Sequence, residues 1–158
     1  MNREFTEKQK ITQWWLWLIL IIIGTIPIIG LYKQLILKQL FGDNPMSDFA
    51  LIIFSLIIFL IIGMFFLIAL ETEISDKGIN MKFIPFVEKK IKWNEIKNAE
   101  LIKYGFSGFG IRISLKYGTL YNMKGNNGLF IELKSGEKIL IGTQKEKELA
   151  KIVNKYLK

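Results

Sequence analysis

The sequence predicts an α-helical transmembrane hairpin joined to a mostly-β domain that ends in an α-helix. Three features predict this class: two long uncharged apolar runs in the first half, short alternating segments punctuated by turns in the second, and one amphipathic stretch at the end.

Residues 14–32 carry no charge, and Thr25 is the one polar side chain before Tyr32. Residues 49–70 are likewise uncharged, with Ser55 as their polar residue. A helix rises about 1.5 Å per residue, so roughly 20 residues cross a hydrocarbon core of about 30 Å. Both runs are long enough, and the rest of the chain is too small to wrap two helices apolar on every side. Trp14, Trp15 and Trp17 stand at the start of the first run, where indole rings favour the headgroup region. Gly24, Pro27 and Gly30 lie inside it, and a kink is expected near Pro27. Neither run holds an ionisable group, which argues against a proton relay or ion path within them.

The first run exceeds a usual signal-peptide core and no small-residue cleavage pattern follows it, so a retained anchor is expected. Arg3, Lys8 and Lys10 precede it; Lys77, Lys82, Lys89 and Lys90 follow the second run; only Lys33 and Lys38 lie between. The positive-inside rule then places both termini in the cytoplasm. The expected organisation is a cytoplasmic segment 1–13, spans 14–32 and 49–70 joined by an extracytoplasmic connector 33–48, and a cytoplasmic domain 71–158. The connector holds either an interfacial helix over 31–41 or an extension of the first helix. Gly42-Asp43-Asn44-Pro45 reads as a turn, and Ser47 or Asp48 as the cap of the second helix.

After Leu70 the period changes. Glu71–Ser75 and Ile79–Ile84 flank an Asp76-Lys77-Gly78 turn and read as a hairpin. Further strands are expected over 87–93, 99–104, 111–116, 120–124, 129–134 and 138–141. Trp93-Asn94-Glu95-Ile96 reads as a short turn, and Gly105–Gly110 as a glycine-rich break. Gly125-Asn126-Asn127-Gly128 suits a hairpin turn between the strands on either side. Thr143 and Glu146 have the spacing of a capping box. Leu149, Ile152, Val153, Tyr156 and Leu157 then recur at helical spacing, with Lys155 and Lys158 near the C-terminus. The expected domain is a small barrel of about seven antiparallel strands closed by this helix.

That order resembles the pleckstrin-homology-like (PH-like) fold. Thr72-Glu73-Ile74-Ser75-Asp76-Lys77-Gly78-Ile79, Ile91-Lys92-Trp93-Asn94-Glu95-Ile96 and Leu140-Ile141-Gly142-Thr143-Gln144 are similar to segments of bacterial PH-like membrane proteins. Gly108-Phe109-Gly110-Ile111-Arg112, Tyr121-Asn122 and Gly128–Leu133 resemble a subset of small members. The likeness covers roughly residues 50–158 and rests on turns and strand starts. It implies one or two membrane helices followed by a PH-like domain, in a bacterial cytoplasmic membrane, acting as a tethered binding or scaffolding module without an assigned activity. Phosphoinositide-reading PH domains use a basic cluster in the first hairpin loop; here Lys77 and Lys82 are the basic residues nearby.

With no histidine and no cysteine, the commonest general base, thiol nucleophiles and imidazole or thiolate metal sites are missing, and no cofactor or metal is expected. Glu71, Glu73, Glu95, Glu100, Glu132 and Glu137 are scattered over strands and turns, the pattern of a solvated surface. The Gly105-x-x-Gly108-x-Gly110 spacing lacks the following helix that a phosphate cradle requires. Residues 71–158 hold 17 Lys and Arg against 10 Asp and Glu, so most of the net charge of +8 lies there. Basic residues near an anionic leaflet gain about 1 kcal/mol each. No stacking motif or recognition helix accompanies the charge, so nucleic acid is not an expected partner. The reading is a non-enzymatic membrane-anchored module that binds lipid headgroups or a protein partner, with Arg112, Lys77 and Lys82 as contact residues. Its alternatives are an accessory subunit or homo-oligomer assembled through the spans, and, last, a carboxylate-using membrane enzyme.

Overall fold

The computed structural model describes residues 3–105 and 108–156. Leu157 and Lys158 of the expected terminal helix, and Phe106 and Ser107 of the glycine-rich break, lie outside that range. The chain divides into two compact units, Thr12–Leu67 and a discontinuous one of Met1–Ile11 with Ile68–Lys158.

The helical unit follows from the apolar runs. α1 (Trp14–Leu31) and α2 (Asp48–Leu67) are both long and apolar enough to cross a membrane. Most of their large side chains are exposed, whereas Leu20, Gly24, Pro27 and Gly30 are buried at helical spacing on one stripe of α1. Small residues there allow close approach: a Cβ on Gly24 would sit 3.1 Å from Ile62, and one on Gly30 2.9 Å from Phe41. α1 continues into a π-helical turn, Tyr32–Ile36, so the connector extends the first helix. Buried Gln34 on this turn donates to the Met46 carbonyl at 2.7 Å and to Asp48 Oδ1 at 2.8 Å. With Asp48 so engaged, Ser47 Oγ accepts from Ala50 N (3.3 Å) and caps α2.

The other unit is two open sheets and a helix. The first sheet has the order β1-β2-β3-β4, from β1 (Arg3–Lys10), β2 (Ala69–Ser75), β3 (Gly78–Ile84) and β4 (Val87–Lys92). A 3-10 turn, Trp93–Glu95, leads into the second, of order β5-β8-β9-β7-β6. Its strands are β5 (Ile96–Lys103), β6 (Gly110–Ser114), β7 (Gly118–Asn122), β8 (Asn127–Leu133) and β9 (Lys138–Gly142). α3 (Glu146–Tyr156) follows.

Three expectations are corrected here. The sheets do not close into a barrel, because the Trp93–Glu95 turn carries the chain from β4 to the far edge of another sheet. The strands number nine among the described residues rather than about seven, and one pair is parallel, β7 with β9. Residues 125–128 do not turn a hairpin, since β9 lies between β7 and β8. Buried Asn122 organises that crossing instead, donating to the carbonyls of Gly108 and Gly125 (both 3.2 Å) and accepting from Lys124 N at 3.1 Å.

One core joins both sheets and the helix. It includes Leu70, Ile74, Met81 and Phe83 from the first sheet, Leu129, Ile131, Ile139 and Ile141 from the second, and Leu149 and Val153 from α3. A smaller cluster, Tyr104, Leu120 and Leu140, lies on the other face of the second sheet.

β1 stands where a cytoplasmic segment outside the domain is expected over residues 1–13. It pairs antiparallel with β2, Lys10 opposite Ala69 and Thr6 opposite Glu73. Its buried face is Phe5, Glu7 and Gln9. Gln9 Nε2 donates to the Gly142 carbonyl at 2.8 Å; Glu7 accepts from Thr143 Oγ1 at 2.6 Å and from Gln144 N at 2.8 Å. Half of the expected capping box is made: Thr143 Oγ1 accepts from Lys145 N at 3.0 Å while donating to Glu7. The other half is not, since Glu146 accepts from Asn127 Nδ2 at 2.7 Å.

Candidate functional site, a lysine-rimmed groove between the two sheets

An open sheet leaves edges, and the edge at β4 borders a concavity. β4 ends one sheet; the turn between β8 and β9, residues 134–137, projects from the other. A groove of about 640 Å³ lies between them. Its floor is apolar, formed by buried Ile91 and Ile139 with half-buried Leu133, and its rim carries Lys89, Lys90 and Lys134.

Local bonds fix these walls. Lys134 N donates to the Glu95 carbonyl at 2.8 Å, and Leu133 N to the Glu137 carbonyl at 2.9 Å. Gly136 adopts φ +89°, which an unbranched backbone tolerates without strain. Lys89 Nζ forms an ion pair with Glu137 across the groove. Glu95 is occupied elsewhere, its carboxylate accepting from Lys92 N at 3.0 Å. Lys90 lies 3.3 Å from Glu88, which also takes Lys82 at 3.2 Å. Hydrogen bonds from Lys82 first and Lys90 second hold the Glu88 carboxyl below its ordinary range. Lys134 makes no ion pair among the described residues. Lys89 shares the face of Ile91, whereas Lys90, opposite Asn80, borders the groove from the other face of β4 beside Glu88. Ammonium groups beside an apolar floor suit an anion carrying an apolar continuation, because the head meets charge while the stem covers hydrocarbon.

The residues singled out from sequence do not meet in one place. Lys77 sits in the β2–β3 turn. Lys82 is five residues along β3, roughly 16 Å away at strand rise, beside Glu88. Arg112 belongs to the second sheet, on β6, where its Nε donates to the Phe109 carbonyl at 3.3 Å. Trp14 and Trp15 are exposed at the first turn of α1, while Trp17 meets Phe66 of α2 at a ring separation of 4.6 Å. Lys134 escaped the sequence reading because its role depends on a turn facing β4, and no local pattern announces that.

No protein-family model matches the chain, and none of the curated proteins matches it.

Proposed function

We propose that this chain is a membrane-anchored binding module: α1 and α2 span a bilayer, and the basic β unit engages anionic headgroups at the adjoining surface through the groove rimmed by Lys89, Lys90 and Lys134. The supporting observation is where the helical hairpin enters the chain. It is inserted between β1 and β2, which are hydrogen-bonded neighbours, with three residues before α1 and one, Ile68, after α2. Such short connectors tether the β unit at the bilayer surface. The pairing of β1 with β2 supports both outer helix ends sharing one side of the membrane.

Charge supports the same reading. The helical unit holds Lys33 and Lys38 against Asp43 and Asp48, so the whole net charge of +8 belongs to the β unit. Near an anionic leaflet this excess is attractive over about a Debye length, ~8–10 Å. Binding rather than catalysis fits a chain without histidine or cysteine. The order of strands followed by one terminal helix supports placing the β unit with PH-like modules, and the positive-inside count supports the cytoplasmic face.

The test is hydrogen exchange on the full chain in nanodiscs of neutral lipid, with and without an anionic phospholipid. Anionic lipid is expected to slow exchange over residues 89–95 and 133–137, and replacing Lys89, Lys90 and Lys134 with Gln is expected to abolish the slowing. Equal exchange in both lipids would refute the headgroup reading.

A further inference from the structure

The second sheet has one edge built differently from the rest. β1, β4 and β5 are guarded by charge: Glu4 and Lys8 on β1, four charged residues among the six of β4, and Lys97, Glu100 and Lys103 on β5. Charged side chains at sheet edges discourage pairing with another chain. β6 carries Arg112 alone, and its edge opposite β7 meets no strand among the described residues. Ile111, Ile113 and the first turn residue, Leu115, are 40%, 89% and 106% exposed. Cross-strand partners share a face, so Ile111 beside Tyr121 and Ile113 beside Thr119 stand on the core side of the sheet, and Arg112 beside Leu120 on the other.

We infer that β6 pairs with β6 of a second copy of the chain, antiparallel about a two-fold axis at Ile113. A lipid surface fits this edge poorly, because hydrocarbon leaves backbone N–H and C=O groups unpaired. A strand satisfies them, and the strand β6 itself complements β6. With Ile113 opposite Ile113, Ile111 falls opposite Leu115 and Arg112 opposite Ser114. One apolar stripe then runs across both copies on the core side. Centring the axis on Arg112 instead sets two guanidinium groups face to face, a destabilising like-charge pair. A single strand pair buries less than the ~1,200–2,000 Å² of a stable soluble interface. Confinement to a membrane plane raises the effective concentration of copies and offsets that deficit, a step that rests on the membrane reading above.

The natural chain has no cysteine, so engineered ones report cleanly. Full-length Ile113→Cys, Arg112→Cys and Ser114→Cys chains are expressed, and carbonate-washed membranes are collected; absence from this fraction would refute the membrane anchor rather than the pairing. Oxidation in the washed membranes is expected to crosslink Ile113→Cys at least about fivefold faster than Arg112→Cys or Ser114→Cys alone, and an Arg112→Cys with Ser114→Cys mixture faster than either. Energy transfer between labelled chains in the same membranes is expected to fall to the level of a random mixture in Ile113→Lys. Fastest crosslinking at Arg112, crosslinking to a different protein, or no dimer in either measurement would overturn the proposal.

Discussion

The carboxylate of Glu7 and the hydroxyl of Thr143 meet at 2.6 Å in the interior of the β unit, joining positions 136 residues apart. Glu7 is 5% exposed and Thr143 3%. Its other oxygen takes the N–H of Gln144, so one acidic side chain fixes the approach to α3. Glu7→Ala leaves a buried hydroxyl and a backbone N–H without their acceptor. A loss of about 2–3 kcal/mol is expected, read from denaturant unfolding. Lys8→Ala on the same strand removes a surface ion pair with Glu71 and should cost under about 1 kcal/mol.

The far end of α3 depends on pH through the same strand. Hydrogen bonds from Lys155, then Tyr156, hold the Glu4 carboxyl below its ordinary 4.5. The Glu4 hydrogen bond raises Lys155 above its ordinary 10.5. A lowered acid stabilises the fold above its unfolded pKa and loses that contribution as pH falls through the folded value. A raised base contributes below its unfolded pKa and loses it as pH rises through the folded value. Docking of α3 is therefore expected to loosen below pH 4.5 and again above 10.5, followed through the Trp93–Tyr156 stack by fluorescence. Glu4→Gln should flatten the acid limb.

Tyr104 carries a strain of another kind. Burial pushes its phenol up to about 12, and its oxygen meets no hydrogen-bonding partner among the described residues. Tyr104→Phe removes a desolvated hydroxyl and keeps the ring, so stability should stay level or rise by up to about 1 kcal/mol. In an absorbance titration the last tyrosine to ionise should disappear. Alkaline destabilisation from this group begins above about 10 and is complete only as pH passes the folded value, and it should vanish in the same variant.

Gly118, which opens β7, and Gly125 in the bend after it separate steric from conformational demands. A Cβ on Gly118 (φ +69°) would lie 2.0 Å from the Lys138 carbonyl oxygen, whereas one on Gly125 (φ +83°) meets nothing within 4 Å. Gly125→Ala should cost about 1–2 kcal/mol from backbone strain alone. Gly118→Ala must also displace β9 and should cost clearly more, measured by the same unfolding assay.

Membrane sidedness gives the most direct check on the anchor. Asn44→Cys in the connector and Lys124→Cys in the β unit are both at exposed positions. An impermeant maleimide applied from one side should label one and spare the other. Labelling of both from a single side of intact membranes would exclude two full spans.

What could be read from the sequence divides along physical lines. The apolar runs of α1 and α2, the Asp76-Lys77-Gly78 turn and the apolar face of α3 through Tyr156 are local patterns and appear where expected, except that Ala69 and Leu70 of the expected span 49–70 open β2 instead. β1 was hidden because its inward residues include Glu7 and Gln9, which invert the usual alternation of apolar and polar. Placing β9 between β7 and β8 depends on contacts distant in sequence, which Gly125–Gly128 cannot encode. The groove was opaque for the same reason. Lys89 and Lys90 were visible as charge, but a site exists only once the Lys134 turn faces them.

The insertion point of the helical hairpin has a consequence for biogenesis. β1 leaves the ribosome before either apolar helix and must wait, unpaired, until β2 follows α2. In a chain whose helices both insert, the two strands find each other only if α1 and α2 have crossed in opposite senses. An inverted or skipped first span would separate Phe5 from the core, Glu4 from Lys155 and Tyr156 of α3, and Glu7 from Thr143 and Gln144 before it. Completion of the first sheet then depends on both crossings, because β2 has its β1 partner only when the two strands lie on one side.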